Sequence, residues 1–156
     1  MPSTVTLKRL GYRLAFRMLQ VRWALARPVT VGVKCLITDG ERVLLVRHTY
    51  GPRAWDLPGG RGRRGEDPLA TARREMEEEL GLGHVDWRPH GELRGRTYGR
   101  RDEIRVVRAE VPPAELRVDP VEIEAVAWFE RNRLPLWISP FVAPVLAGEP
   151  AFDSKS

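Results

Sequence analysis

The stretch Gly60–Leu82, GRGRRGEDPLATARREMEEELGL, decides how the rest of the chain is interpreted. Asp67 is a favourable N-cap residue, and Pro68 suits the first position of a helix. With Gly81 as a C-terminal stop, the stretch predicts a helix over Pro68–Leu80. At about 100° per residue, four apolar residues of this helix share the face that packs on the rest of the domain: Leu69, Ala72, Met76 and Leu80.

Three glutamates, Glu75, Glu78 and Glu79, cluster on a neighbouring face of this helix. Like charges at these spacings repel by roughly a few tenths of a kcal/mol per pair, and the helix dipole disfavours negative charge near the C-terminus. Arg74 offsets part of this cost, and a bound divalent cation offsets more. Because the candidate ligands are all oxygen atoms, the pattern favours a hard cation, Mg²⁺ or Mn²⁺, that shares its shell with a phosphate-bearing ligand. The glutamates alone leave open a solvated acidic helix face.

The spacing of the flanking residues decides between these interpretations. From Gly60, five residues lead to Glu66, seven more lead to Arg74-Glu75, and Met76-Glu77-Glu78-Glu79-Leu80-Gly81-Leu82 completes the pattern. This spacing resembles the Nudix box at each of its defined positions, and Leu57-Pro58-Gly59 supply the usual lead-in. The resemblance covers about residues 29–147.

The resemblance implies an α/β/α sandwich with a mixed β-sheet. It also implies hydrolysis of a nucleoside diphosphate linked to another group, by water attacking phosphorus. The residues it assigns to the metal are Glu75, Glu78, Glu79 and the carbonyl of Gly60. The supporting residues are Arg74, which would orient the glutamates, Glu66, which would hold the loop, and Gly59.

Members of the family often use a further glutamate shortly before a tryptophan-bearing strand. Glu122, six residues before Trp128, is the best match, and Glu124 is the reserve. Each can instead be an ordinary charge at a strand edge. The family does not fix which glutamate accepts the proton of the attacking water, and Glu79 or Glu78 is favoured, with Glu122 next.

Candidate substrate contacts lie outside the helix. Arg61 belongs to a basic loop that can clasp a phosphate or remain solvated. Arg47 and His48 end a predicted strand that leads toward the site. Tyr98 stands where members acting on dinucleoside polyphosphates often carry a tyrosine, with a plain loop aromatic as the alternative. These residues leave the substrate open.

The N-terminal segment predicts a basic amphipathic helix over residues 7–25, ended by Pro28. Its apolar residues recur at spacings of three and four: Leu7, Leu10, Leu14, Met18, Val21 and Leu25. Residues 1–28 carry six basic and no acidic side chains, so the net charge of +5 leaves about −1 for the remainder and does not predict nucleic-acid binding. Packing of the helix on its own domain or on a second subunit of a homodimer is favoured, and an anionic membrane surface is the alternative.

The length of 156 residues, with 42% hydrophobic and 30% charged, indicates one globular domain. We expect an N-terminal helix in residues 1–28, a catalytic domain in 29–147 and a tail in 148–156. Strands are predicted at 29–38, 42–47, 54–57, 85–95, 103–111 and 123–129, and a short helix at 139–147, which gives a mixed α/β fold. Cys35 stands alone, which excludes an intrachain disulfide and suits the cytoplasm.

The sequence therefore predicts a pyrophosphohydrolase that depends on Mg²⁺ or Mn²⁺ and acts on a small nucleoside diphosphate derivative. A non-catalytic nucleotide sensor or scaffold is the alternative from another class, and loss of the glutamates would mark it. A further enzymatic alternative is the hydrolysis of a non-nucleoside diphosphate.

Overall fold

The computed structural model describes residues 4–26, 29–97, 100–112 and 116–148. Along these residues the elements follow in the order α1 (Thr4–Ala26), β1 (Val29–Asp39), β2 (Arg42–His48), α2 (Pro68–Leu80), β3 (Arg88–Thr97), β4 (Arg100–Glu110), β5 (Ile123–Glu130) and α3 (Val142–Ala147).

The five strands form one sheet in the order β3-β4-β1-β2-β5. The hairpin between β1 and β2 turns at Gly40 and Glu41, directly after the predicted position Asp39, and Gly40 has the positive φ of 56° that such turns require. β1 pairs in parallel with β4, whereas the remaining pairs are antiparallel. A parallel neighbour needs a long crossover, which α2 and β3 supply. The predicted mixed sheet is confirmed.

Helices cover both faces of the sheet, and a buried apolar cluster lies under each. Along β2 the side chains alternate, so that Leu44 and Val46 join the cluster that contains Met76 of α2. Val43 and Leu45 join the opposite cluster, which contains Phe141, Val142 and Val145 at α3. The predicted α/β/α sandwich is confirmed.

The largest departures from the predicted elements lie at strand ends. Residues 54–57 make isolated bridges instead of a strand. The N–H of Trp55 donates to the carbonyl of Trp137 at 2.8 Å, and the carbonyl of Trp55 accepts from the N–H of Ser139 at 2.7 Å, so this pairing is limited to one residue. β3 begins at Arg88 instead of Val85, whose N–H closes a turn on Leu82. The last helix begins at Val142, after a turn from Ser139.

Helix α1 contacts the domain through the face opposite its leucine row. Arg9 donates to the carbonyl of Pro120 at 2.7 Å, Arg13 donates to the carbonyl of Thr49 at 2.8 Å, and Phe16 lies against Tyr50. The apolar residues of the predicted face are exposed: Leu7, Leu10, Leu14, Met18 and Val21. In the described part of the chain, no helix is both long and apolar enough to cross a membrane.

Candidate active site

The caps of α2 fix the start and the end of the helix that carries the glutamates. The side chain of Asp67 accepts hydrogen bonds from the backbone of Leu69 and Ala70, and Gly81 ends the helix at φ 72°. This confirms the predicted helix and both of its caps. Packing of α2 on the sheet turns Glu79 inward, to 2% exposure, while the side chain of Glu78 stays 59% exposed.

Glu79 is a buried carboxylate with incomplete hydrogen bonding. The backbone N–H of Gly59 donates to it, while its Oε2 has no hydrogen-bond partner among the described residues. Burial raises the pKa of Glu79 well above its ordinary value, and the charges of Glu75 and Glu122 raise it further. An uncompensated carboxylate in the interior costs free energy unless a positive group approaches it. The residues present therefore fit a cation at this oxygen.

The turn at Gly59 and Gly60 brings the backbone against α2. A Cβ atom on Gly59, where φ is 150°, would lie 2.2 Å from the carbonyl oxygen of Val33. A Cβ atom on Gly60 would lie 2.2 Å from the carboxyl carbon of Glu75. The Gly60 carbonyl accepts the N–H of Val33 at 2.9 Å, so its predicted metal contact would use the second lone pair.

Arg74 connects the loop to the glutamates. Its Nε and Nη2 bind the two oxygens of Glu66 at 3.0 and 2.8 Å, a two-pronged contact that fixes the guanidinium plane. Its Nη1 lies 2.5 Å from Glu75 and 3.7 Å from Glu78, and its Nη2 donates to the carbonyl of Arg61. The hydrogen bonds from Arg74 are the main reason that the pKa of Glu66 falls to about 2. The structure thus places Arg74 and Glu66 where the sequence predicts an orienting pair.

Glu122 faces the site, whereas Glu124 does not. Tyr12 of α1 donates a hydrogen bond to Glu122 Oε1 at 3.3 Å, and burial raises the pKa of Glu122. Glu124 instead pairs with Arg47 at 3.0 Å and Arg53 at 2.8 Å. Of the two candidates named from the sequence, the structure favours Glu122.

The glutamates are near one another but are not gathered around one point. Among residues 4–26, 29–97, 100–112 and 116–148, no three His, Cys, Asp or Glu side chains form a ready-made metal cluster. Glu75 turns to Arg74, Glu78 reaches solvent, and Glu79 points inward. Like charges at helical spacing repel, which accounts for this splaying.

The NUDIX domain model matches residues 27–147 of the chain. The chain belongs to the Nudix family. It is an enzyme of the Nudix hydrolase type, which hydrolyses phosphoanhydride bonds. Of its described elements, α1 alone lies outside the matched residues.

Relatives of this Nudix hydrolase carry several activities in their names. An RNA pyrophosphohydrolase of Rhodospirillum rubrum is 31% identical over 132 residues, which cover 74% of this chain and 79% of that protein. An ADP-ribose pyrophosphatase of Mycobacterium tuberculosis is 52% identical over 42 residues, covering 26% of this chain and 20% of that protein. The crystal structure of a MutT NUDIX hydrolase from Burkholderia pseudomallei has a TM-score of 0.68 and 26% identity, covering 78% of this chain and 98% of that chain.

A cleft of about 470 Å³ adjoins Gly59 and Gly60 in the Nudix domain. β1 supplies part of its lining with Val33 and Lys34, whose ammonium lies 2.5 Å from Asp56. α1 supplies another part with Phe16 and Leu19. Tyr50 also lines the cleft, and its ring lies 5.4 Å from that of Phe16. The cleft is therefore aromatic in one part and charged near the glycine turn.

His48 also lines this cleft and carries an unused ring nitrogen. Its bond to the backbone of Glu122 leaves Nδ1 buried and, within the described residues, without a partner. Burial lowers the pKa of His48 to about 4, so the ring is neutral at pH 7. A neutral imidazole whose other nitrogen donates to a carbonyl is a hydrogen-bond acceptor at Nδ1.

The other three predicted substrate residues have different surroundings. Arg61 lines the cleft. Arg47 bonds Glu124 and lies 5.2 Å over the ring of Trp55, which gives it structural partners. Tyr98 lies outside the described residues.

Three cleft residues, Phe16, Lys34 and Tyr50, were missed by sequence reasoning. Phe16 repeats with Arg9, Tyr12 and Arg13 at helical spacing, a second face that the row of leucines obscured. Lys34 lies in a run of β-branched residues that predicts only a strand. Tyr50 lies two residues after the predicted contact His48, but it offers no signal of its own.

Proposed function

We propose that this Nudix hydrolase uses Mg²⁺ or Mn²⁺ to cleave the diphosphate bond of a nucleoside diphosphate linked to another group. One observation carries the metal requirement: the Glu79 carboxylate is 2% exposed and has one oxygen without a partner among the described residues, beside Glu75 and the Gly59-Gly60 turn. Arg74 forms an ion pair with Glu75, but no described cation forms one with Glu79. A divalent cation supplies the missing positive charge, and oxygen-only ligands suit Mg²⁺ or Mn²⁺.

The proposed metal-holding groups are the carboxylates of Glu75, Glu78 and Glu79 and the carbonyl oxygen of Gly60. When bound, the ion would neutralise the diphosphate and acidify the attacking water. The protein's own contribution is to hold these oxygens in place. Arg74 does so through its contacts with Glu66 and Glu75.

We infer that Glu79 is the group that accepts the proton of the attacking water. Burial raises the pKa of Glu79, which makes its carboxylate a stronger proton acceptor than an exposed glutamate. Glu78, with a side chain 59% exposed, has no comparable burial. Glu122 is the next candidate, although Tyr12 already bonds its Oε1.

The aromatic part of the cleft lining supports the binding of a nucleoside there. Phe16 and Tyr50 offer aromatic surface to a base, and stacking on such rings tolerates any base. Lys34 and Arg61 lie nearer the glycine turn, where the phosphates would pass.

A phosphorylated RNA end is a second candidate substrate. The relative named RNA pyrophosphohydrolase covers 74% of this chain at 31% identity. In addition, a concavity of about 370 Å³ next to the loop 61–66 is lined by Arg61, Arg63, Arg64 and Arg105. Clustered guanidinium groups favour a chain of phosphates over a single one.

The test is a phosphate-release screen of the full chain with Mg²⁺ or Mn²⁺. Its arms are nucleotide sugars, ADP-ribose, dinucleoside polyphosphates, nucleoside triphosphates and a 5′-triphosphorylated oligoribonucleotide. We expect turnover of a nucleoside diphosphate derivative that stops with chelator and with Glu78→Gln. Glu77→Gln, an exposed glutamate of the same helix that pairs with Arg117, is the matched control and should retain activity. Full turnover without metal, or in Glu78→Gln, would contradict the proposal.

A further inference from the structure

Helix α1 has two faces with different surroundings. The residues that contact the catalytic domain or line its cleft are Arg9, Tyr12, Arg13, Phe16 and Leu19. The opposite face carries five large apolar side chains that are between 52% and 75% exposed: Leu7, Leu10, Leu14, Met18 and Val21. A contiguous apolar row of this length is typical of a surface that meets another apolar phase.

Basic side chains border this row on both sides. At about 100° per residue, Arg17 lies next to Leu10 at one border, and Arg22 and Lys8 follow Met18 at the other. These three cations are exposed and have no acidic partner among the residues that the structure describes. Helix α1 contains no acidic residue at all. Cations that flank an apolar row can bury their methylene stems while the charges stay at a polar boundary.

We propose that this face of α1 lies on the surface of an anionic lipid bilayer. Charge complementarity favours this occupant, because lipid phosphates would meet the cations on both borders while the apolar row enters the acyl boundary. A second copy of the chain would instead bring the same acid-free, basic helices together. The domain contacts use the other face, so α1 can bind lipid without leaving the catalytic domain.

This arrangement places the bilayer and the substrate cleft on opposite sides of one helix. Phe16 and Leu19 line the cleft while Leu14 and Met18 meet the lipid. The enzyme would therefore be a peripheral membrane protein whose cleft lies next to the surface. The inference concerns α1 and does not depend on which diphosphate is hydrolysed.

The test is vesicle co-sedimentation of the full chain. The vesicles are phosphatidylcholine alone, or phosphatidylcholine with about one third phosphatidylglycerol. We expect binding to the anionic vesicles alone, weakened by high salt because exposed charges are screened. Leu14→Glu should lower the partition coefficient at least tenfold, and Arg17→Gln should lower it about fivefold, as expected for one surface cation.

Arg131→Glu is the matched control. Arg131 is exposed and follows the far end of β5, whereas α1 contacts the residues just before that strand. Arg131→Glu changes the net charge by more than Leu14→Glu does, yet this variant should bind vesicles nearly as the wild type does. Leu14→Glu and Arg131→Glu should both keep the wild-type hydrolysis rate in solution, which would show that their fold is intact.

Results of two kinds, from vesicle binding and from sedimentation, would overturn the inference. One is the absence of binding to anionic vesicles by the wild-type chain, or equal binding by Leu14→Glu. The other is a sedimentation-equilibrium mass of twice 17.8 kDa that Leu14→Glu returns to the monomer, because a second copy would then cover the row.

Discussion

Replacing Glu79 with glutamine should stabilise the metal-free protein while it abolishes activity. The side chain is 2% exposed, one of its oxygens has no described partner, and the charges of Glu75 and Glu122 act on it. Glutamine keeps the shape and removes the charge. Relieving a buried, unsatisfied charged group stabilises a fold by about 1–3 kcal/mol, so we expect a gain that approaches this size as the pH rises above the raised pKa of Glu79.

The gain should depend on pH with a definite sign. The pKa of Glu79 is raised above its ordinary value of 4.5 in the folded protein. Below pH 4.5 the Glu79 side chain is therefore protonated, and its burial carries no cost for a charge. The free energy of unfolding of the wild-type protein falls as the pH rises through the raised pKa. The advantage of Glu79→Gln should shrink toward zero as the pH falls to 4.5.

Urea unfolding in chelator, followed by tryptophan fluorescence, measures this difference. Glu78→Gln is the control: its side chain is 59% exposed, so its stability should stay within about 0.5 kcal/mol of the wild type. Saturating Mg²⁺ should then stabilise the wild type, by about 2.7 kcal/mol at a hundred times Kd, and stabilise Glu79→Gln less. A metal-free Glu79→Gln that is less stable than the wild type at pH 8 would refute the reasoning.

Three further predictions follow from contacts around the site. Arg74→Lys keeps the charge but loses the two-pronged contact with Glu66, so kcat should fall about 10–100-fold with little change in KM; an unchanged kcat would show that this contact orients nothing. Phe16→Ala should raise KM for a nucleoside substrate about tenfold and leave kcat unchanged, and the control Leu14→Ala should change neither constant. Equal KM values for Phe16→Ala and the wild type would remove Phe16 from the substrate site. Since the pKa of Glu66 is held near 2, its stabilisation relative to Glu66→Gln should be full at pH 7 and disappear as the pH falls from 4.5 to about 2, as urea unfolding of both proteins would show.

Local signals predicted the central helix well. Asp67, Pro68 and Gly81 act within a few residues of the backbone they cap, so the sequence alone marks both ends of α2. The β-branched runs and the Asp39-Gly40 signal predicted the hairpin of β1 and β2, whereas the mixed sheet was expected from the resemblance to the Nudix family. Strand ends were less certain, because they depend on partners far along the chain.

The glutamates show why the site itself could not be read completely from the sequence. Helical spacing places Glu78 and Glu79 on similar faces, and only packing on the sheet buries one and exposes the other. Likewise, Glu122 and Glu124 look equivalent as residues near Trp128. Their difference comes from Tyr12 on one side and from Arg47 and Arg53 on the other.

Helix α1 shows the same limit over a longer distance. Its leucine row predicts an apolar contact with the domain or with a second subunit. In the structure, Tyr12, Arg13 and Phe16 make the contact instead, because the ring of Tyr50 and the carbonyl of Thr49 complement that face. The complementary groups are tens of residues away and carry no sequence mark of their own.

Mn²⁺ binding to the chelator-treated full chain, followed by its electron paramagnetic resonance signal, is the direct test of the proposed metal site. With a non-hydrolysable nucleoside diphosphate analogue present, the wild type and Glu77→Gln should remove Mn²⁺ from solution equally. Glu75→Gln and Glu79→Gln should each bind it at least tenfold more weakly, because each removes a proposed ligand. Failure of the wild type to bind Mn²⁺, or equal binding by all of these variants, would contradict the account.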